Sequence, residues 1–199
     1  MKCRERPGYA ISGFGSSGPP RGLGSAWSKS CWGKASASAR GAERSAPLRR
    51  MCEKQPDRLS LLDIDVAERA AIGDVCERAW SAFGGLDIWF YNVGTYEPMS
   101  IERWDLDQFE QMAQSNYLGA VRLMHALAPR FLQQIRSDPN KPAAQWIWNA
   151  GLASDFGLPY GGGYSAPKAA LVNLAESLQP ELEWHGVALR IINHPRNGS

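Results

Sequence analysis

Two residues of this 199-residue chain have types and a spacing that suit proton transfer, Tyr164 and Lys168 in the stretch Tyr164-Ser165-Ala166-Pro167-Lys168. Residues four apart on a helix lie one turn apart on the same face. A phenol, with its ordinary pKa of about 10, is a poor acid or base at neutral pH, and a neighbouring ammonium lowers that value by stabilising the phenolate. The pair makes a usable acid–base group if a helix opens at or before Tyr164.

The surrounding residues provide such elements. Gln145-Trp146-Ile147-Trp148-Asn149 reads as a short buried strand, and Gly157, Pro159 and the Gly161-Gly162-Gly163 run read as the loop that delivers Tyr164. Leu171, Leu174, Ala175 and Leu178 fall at i, i+3, i+4 and i+7, the pattern of an amphipathic helix. With a strand, a glycine-rich loop and a helix carrying Tyr-x-x-x-Lys, the sequence resembles the short-chain dehydrogenase/reductase family over most of Leu59 to Pro195.

Further positions match the family in order. Gly8 to Ser12 reads as a first strand, followed by Ser17-Gly18 and Arg21-Gly22-Leu23-Gly24. Gly18, Gly22 and Gly24 resemble the family's Gly-x-x-x-Gly-x-Gly turn, in which the backbone must come close to a pyrophosphate resting on a helix N-terminus. A Gly/Ser/Pro-rich loop without a ligand fits this stretch equally well. Leu59 to Val66 reads as a strand ending in Asp65-Val66, similar to the family's adenine-binding position. Leu86 to Phe90 is the next strand, and Tyr91-Asn92-Val93-Gly94 resembles the family's Asn-Asn-Ala-Gly with Tyr91 in place of the first Asn. Asp65 as a solvated strand end and Asn92 as a turn residue are the plainer alternatives.

Trp104 to Arg136 reads as one long helix containing Asn116, which matches the family's helix Asn that holds a water linking the Lys to solvent. A last strand over Val187 to Ile192 leads into Asn193-His194-Pro195-Arg196, with Pro195 at the family's Pro-Gly turn.

These elements imply an α/β fold, a Rossmann-like doubly wound parallel sheet covered on both faces, with its ligand beyond the carboxyl ends of the strands. The expected organisation is a single NAD(P)-binding domain over residues 1–199, of which 1–57 is an irregular basic portion. Ser25 to Arg50 shows neither a clear helix nor a second strand, and it contains no β-branched residue. Read from the third base of each preceding codon, Trp27 to Ala39 permits a helix end, a glycine and a strand. A frame-shifted segment resolved before Met51 would account for the missing pattern, and the gene's nucleotide sequence aligned with relatives tests it.

The resemblance implies hydride exchange between NAD or NADP and a small carbonyl or alcohol substrate. Tyr164 carries the hydroxyl proton, Lys168 lowers its pKa and binds the nicotinamide ribose, and Asn116 anchors the relay. Cofactor binding falls to Gly18, Gly22, Gly24, Asp65, Val66, Asn92, Gly94, Tyr164, Lys168 and Pro195. A Ser normally completes the set by hydrogen-bonding the substrate oxygen, but counting back from Tyr164 places Gly151 there. Ser154, three residues on, is the available substitute, and Gly151→Ser is expected to raise turnover. Arg196 stands where the family has Gly, and the sequence reaches only to Ser199, so a further strand and substrate lobe are unaccounted for and the pocket is expected to be open. Tyr91, Thr95, Tyr96 and Met99 are left to line it. The alternatives are a non-catalytic relative that binds a dinucleotide or a protein, and the product of a damaged reading frame.

Composition narrows the partners. Apolar residues make up 44% of the chain, no apolar run is long enough to span a membrane, and the formal net charge is +2. Residues 1–50 carry ten Lys or Arg against Glu5 and Glu43, a balance of +8 that leaves −6 for the rest. No interleaved aromatic-basic pattern or cleavage pattern supports a nucleic-acid arm or a transit peptide. Cys3, Cys31, Cys52 and Cys76 have no Cys-x-x-Cys spacing, so reduced thiols and no metal are expected. A cytoplasmic protein without nucleic-acid or membrane partners follows, with a homo-oligomer through the long helices left open. Four arginines, Arg40, Arg44, Arg49 and Arg50, either favour a 2′-phosphate or form a solvated run.

Overall fold

Apolar residues alternating over short stretches, with helix-spaced apolar residues between them, force strands and helices to take turns along the chain, and the computed structural model arranges them as one parallel sheet. It describes residues 8–12, 34–39, 49–50, 52–54, 59–82, 84–138 and 143–193. The strands are β1 (Gly8–Ser12), β2 (Lys34–Ala39), β3 (Leu59–Asp63), β4 (Ile88–Tyr91), β5 (Ala144–Asn149) and β6 (Val187–Ile192). Their order across the sheet is β3-β2-β1-β4-β5-β6, with every pairing parallel. This is the doubly wound arrangement, and its direction of winding reverses between β1 and β4.

The second strand, which no pattern of residues announces, is β2. Lys-Ala-Ser-Ala-Ser-Ala lacks β-branched residues, yet its backbone pairs with β1 from Gly8↔Lys34 to Ser12↔Ser38, and with β3 from Ala35↔Leu59 to Ala39↔Asp63. Ladder hydrogen bonds on both sides carry a strand of small residues whose intrinsic preference is weak. β3 ends at Asp63, two residues before Asp65, and Asp65 and Val66 belong to the turn that follows.

β4 and β5 bury alternate residues completely: Trp89 and Tyr91 on one, Ala144, Trp146 and Trp148 on the other. Helix α1 (Ile72–Ser81) contributes Ile72, Val75, Cys76 and Ala79 to the same core. Gly84 and Gly85 end it as their positive φ allows, with the Gly85 N–H donating to Trp80 O at 2.9 Å. The long helix is α2 (Leu106–Ala113), capped by the Asp105 carboxylate, which accepts from Gln108 N at 3.0 Å, and α3 (Gly119–Ser137). The two join through a π-turn at Gln114–Leu118. Helix α3 buries Leu123, Leu127 and Phe131, and Phe131 meets Trp80 and Trp146 edge-on at 5.2 and 5.8 Å. Helix α4 (Gly162–Trp184) packs along β6 through Leu171, Ala175 and Leu182. Among the described residues, no helix is long and apolar enough to cross a membrane.

Candidate active site

The sheet order fixes where a ligand can sit, because the crevice opens beyond the carboxyl ends of β1 and β4, where the winding reverses. β4 runs out into Asn92-Val93-Gly94 at that point, β5 runs out into Ala150-Gly151, and α4 begins beside them. Tyr164 and Lys168 lie in the first two turns of α4, so the helix register that the sequence requires is present.

Lys168 is 2% exposed, and its Nζ donates to Val93 O at 2.9 Å and Asn149 O at 2.8 Å. The ammonium thereby ties the ends of two adjacent strands together, and one of its three N–H donors is left over. Burial lowers its pKa to about 8. Tyr164 is half-buried, and burial pushes its phenol up from the ordinary value. The expected lowering by Lys168 is therefore not the dominant effect in this state. Nζ faces the Tyr164 ring, 5.8 Å from its centroid, and burial of the phenol sets the direction. The spacing puts both groups on one face but does not decide which atom the ammonium approaches.

Asn116 is completely buried in the π-turn. Its Oδ1 accepts from Thr95 N at 2.7 Å and its Nδ2 donates to Thr95 O at 2.9 Å, so the side chain clamps the loop after β4 against the long helix. π-turns interrupt helices at functional sites more often than elsewhere. This one is braced by the Tyr91 hydroxyl, which donates to Ser115 O. Tyr91 is 0% exposed and lines no pocket, a correction to the sequence reading: it stands in the core, where the removal of Cβ at Gly119 makes room for its hydroxyl.

Gly94 and Gly151 open the space in front of the phenol. A Cβ on Gly94 would lie 3.7 Å from Tyr164 Cε2 and 3.8 Å from Lys168 Nζ, and one on Gly151 would lie 3.8 Å from Tyr164 Oη. Gly151 is therefore the residue facing the hydroxyl, where the family's Ser is expected. Ser154 does not take its place, since its hydroxyl donates to Gly151 O at 2.7 Å and sits 3.3 Å from Asp155 Oδ1 and Asn193 Oδ1.

Asn92 accepts at Oδ1 from Asn149 Nδ2 at 2.6 Å. Asp65 is half-buried, and its Oδ1 accepts from Ala67 N at 3.0 Å. Val66 turns its side chain into the core, and its carbonyl accepts from Arg122 Nη1 at 3.1 Å. Gly18, Gly22, Gly24 and Pro195 lie outside the described residues. Asn149, whose carbonyl holds Lys168, and Arg122, which holds the turn after β3, escaped the sequence reading. Asn149 acts through its own backbone carbonyl and Arg122 on carbonyls of the turn, so neither leaves a motif. Cys52 and Cys76 are free thiols, the latter pushed up to about 11 by burial, and no cluster of potential metal ligands occurs among the described residues.

A dinucleotide suits these residues. Thr95 Oγ1 and Asn149 Oδ1, at the ends of β4 and β5, are buried without a hydrogen-bond partner, and Lys168 has its leftover donor beside them. Asn149 Oδ1 and the spare Lys168 N–H suit hydroxyl groups of a ribose, and Gly94 leaves the space above them unfilled.

Sheet order and the strand-end crevice define a Rossmann-like domain. A model of the short chain dehydrogenase family matches residues 17–195, and the chain belongs to that family. An uncharacterised oxidoreductase of Staphylococcus aureus is 25% identical over 138 residues, which cover 69% of this chain and 56% of that protein. The chain thus spans little more than half the length of such relatives. The apo form of LigO from Sphingobium superposes with a TM-score of 0.80 at 18% identity, covering 95% of this chain and 68% of that one. L-sorbose reductase from Gluconobacter frateurii, complexed with NADPH and L-sorbose, gives 0.78 at 25% identity, covering 95% and 69%.

Proposed function

We propose that this chain is an NADP(H)-dependent oxidoreductase that interconverts a small carbonyl compound and its alcohol. The observation that carries the reading is the buried Lys168 ammonium, held by Val93 O and Asn149 O one helical turn from a phenol that faces open space. When bound, the reduced nicotinamide supplies a hydride to the carbonyl carbon. Tyr164 donates its phenolic proton to the carbonyl oxygen, so that the product is the alcohol, and the Lys168 ammonium stabilises the phenolate that remains. With a pKa of about 8, Lys168 is mostly charged at neutral pH and can do so. Asn116 acts as a positioning residue, fixing the Thr95 loop over the site. A proton from solvent then restores the Tyr164 phenol.

The preference for the phosphorylated cofactor rests on Arg40, which follows the last residue of β2 in the sequence. In folds of this kind an Arg near the end of the second strand accommodates a 2′-phosphate. L-sorbose reductase, with the same fold, was obtained with NADPH.

Gly151 favours a second reading, a relative that binds the dinucleotide without turning over. Losing one preorganised donor typically costs about 2.7–4 kcal/mol, or 10²–10³ in rate, which slows the reaction without abolishing it. Tyr164→Phe distinguishes the two. Under the proposal, NADPH oxidation with a panel of ketones and aldehydes falls to background while NADPH binding stays within about threefold, because the ring is retained and one proton donor is lost. Oxidation at background in the wild type as well, with NADPH still bound, would leave only the binding role, and oxidation at equal measurable rates in both would remove Tyr164 as the proton donor.

A further inference from the structure

The segment between β4 and α2 lays two aromatic rings against the start of α4. The Tyr96 ring meets that of Tyr164 edge-on, with centroids 5.5 Å apart. Its Cε2 would lie 3.3 Å from a Cβ on Gly161, and the Trp104 indole would lie 3.9 Å from one on Gly162. The glycine run thus lets both rings approach the helix within three residues of the catalytic phenol. Met99 N–H donates to Tyr160 O at 2.8 Å, binding this segment to the loop that carries Gly151. The wall is open to solvent: Trp104 is 46% exposed and Tyr160 66%. Trp104 leans on Phe109, centroids 5.2 Å apart, which fixes its indole although one face is wet. Exposed rings gathered beside a reactive group mark a binding surface.

Charge narrows what can approach it. Thr95 to Glu110 contains Glu97, Glu102, Asp105, Asp107 and Glu110 against Arg103 alone, and Asp155 adds a further carboxylate on the facing loop. All six acids are exposed. Exposed carboxylates on the segment that carries Tyr96 and Trp104 repel ligands of the same sign.

We infer that Tyr96 and Trp104 form the substrate wall, and that it selects a ring-bearing ketone or secondary alcohol without a carboxylate or phosphate. The inference deepens the proposed function and depends on it only for turnover, because binding to the wall can be read separately. The test uses acetophenone, para-acetylbenzoate and butanone with the full chain. Binding in the presence of NADP+ is followed by ligand-observed NMR, and turnover by NADPH oxidation. Acetophenone should bind about tenfold more tightly than para-acetylbenzoate, with the gap narrowing as salt is raised. Trp104→Ala should weaken acetophenone about tenfold through KM and binding, and be rescued by Trp104→Phe.

This binding pattern without NADPH oxidation would uphold the wall and overturn only the proposed reaction. Oxidation with butanone, combined with equal binding of acetophenone and its carboxylate or with no effect of Trp104→Ala, would overturn the wall and leave the reaction standing. Absence of binding by acetophenone would overturn the wall outright.

Discussion

Gly151 has φ 75° and ψ 174°, in a region that only glycine enters without strain. Its missing Cβ points to within 3.8 Å of the Tyr164 hydroxyl. A Ser there is drawn two ways: its hydroxyl would reach the oxygen that Tyr164 protonates, but its backbone pays about 1–3 kcal/mol of strain unless the loop turns over. Gly151→Ser is expected to raise turnover by about tenfold or more, short of the full 10²–10³ of an ideal donor, and to lower stability by about that strain. Kinetics and urea unfolding on one preparation check both. A folded variant with unchanged turnover would mean that no donor is needed at this position. The helical spacing of Tyr164 and Lys168 was legible from the sequence because it follows from 3.6 residues per turn. The direction of the Tyr164 pKa was not, because it depends on how deeply the phenol sinks and on where Nζ points. Neither is written in spacing.

The long helix shows the corresponding limit for a whole element. Apolar periodicity over Trp104 to Arg136 predicts the helix, but averaging over many turns hides the wider turn at Gln114–Leu118 that carries Asn116 inward. That turn depends on a contact from another element. The Tyr91 hydroxyl holds Ser115 O, and it fits only because Gly119 has no side chain: a Cβ there would lie 2.6 Å from Tyr91 Oη and 2.7 Å from Val66 Cγ2. In an ordinary helix, Ala would be favoured over Gly by about 1 kcal/mol. Here overpacking should reverse the sign, and Gly119→Ala is expected to destabilise the protein by about 1–3 kcal/mol, measured by urea unfolding. A more stable Gly119→Ala variant would show that Tyr91 can move aside without cost. β2 was illegible for a different reason. Its Ala and Ser residues carry no strand preference, and pairing on both sides comes from the backbones of β1 and β3, which lie far away in the sequence.

For the whole molecule, the order β3-β2-β1-β4-β5-β6 brings the ends of β4 and β5 to one crevice, and the buried Thr95 Oγ1 and Asn149 Oδ1 are without partners there. A dinucleotide that satisfied them would bind the folded chain and not the unfolded one, and ligand at about 100 times its dissociation constant adds about 2.7 kcal/mol. For a domain of this size that raises Tm by about 5–10 °C. Charge decides which dinucleotide gains more. The role proposed for Arg40, which follows the last residue of β2 in the sequence, sets the direction. The extra phosphate of NADPH should therefore give a larger shift than NADH at equal concentration, and the difference should shrink as salt rises, since attraction between exposed charges is screened within about 10 Å at 0.1 M. An equal shift with both cofactors at low salt would remove the role assigned to Arg40 and leave the crevice itself intact. No shift with either would mean that the two orphaned oxygens are satisfied by water and that the crevice does not hold a dinucleotide.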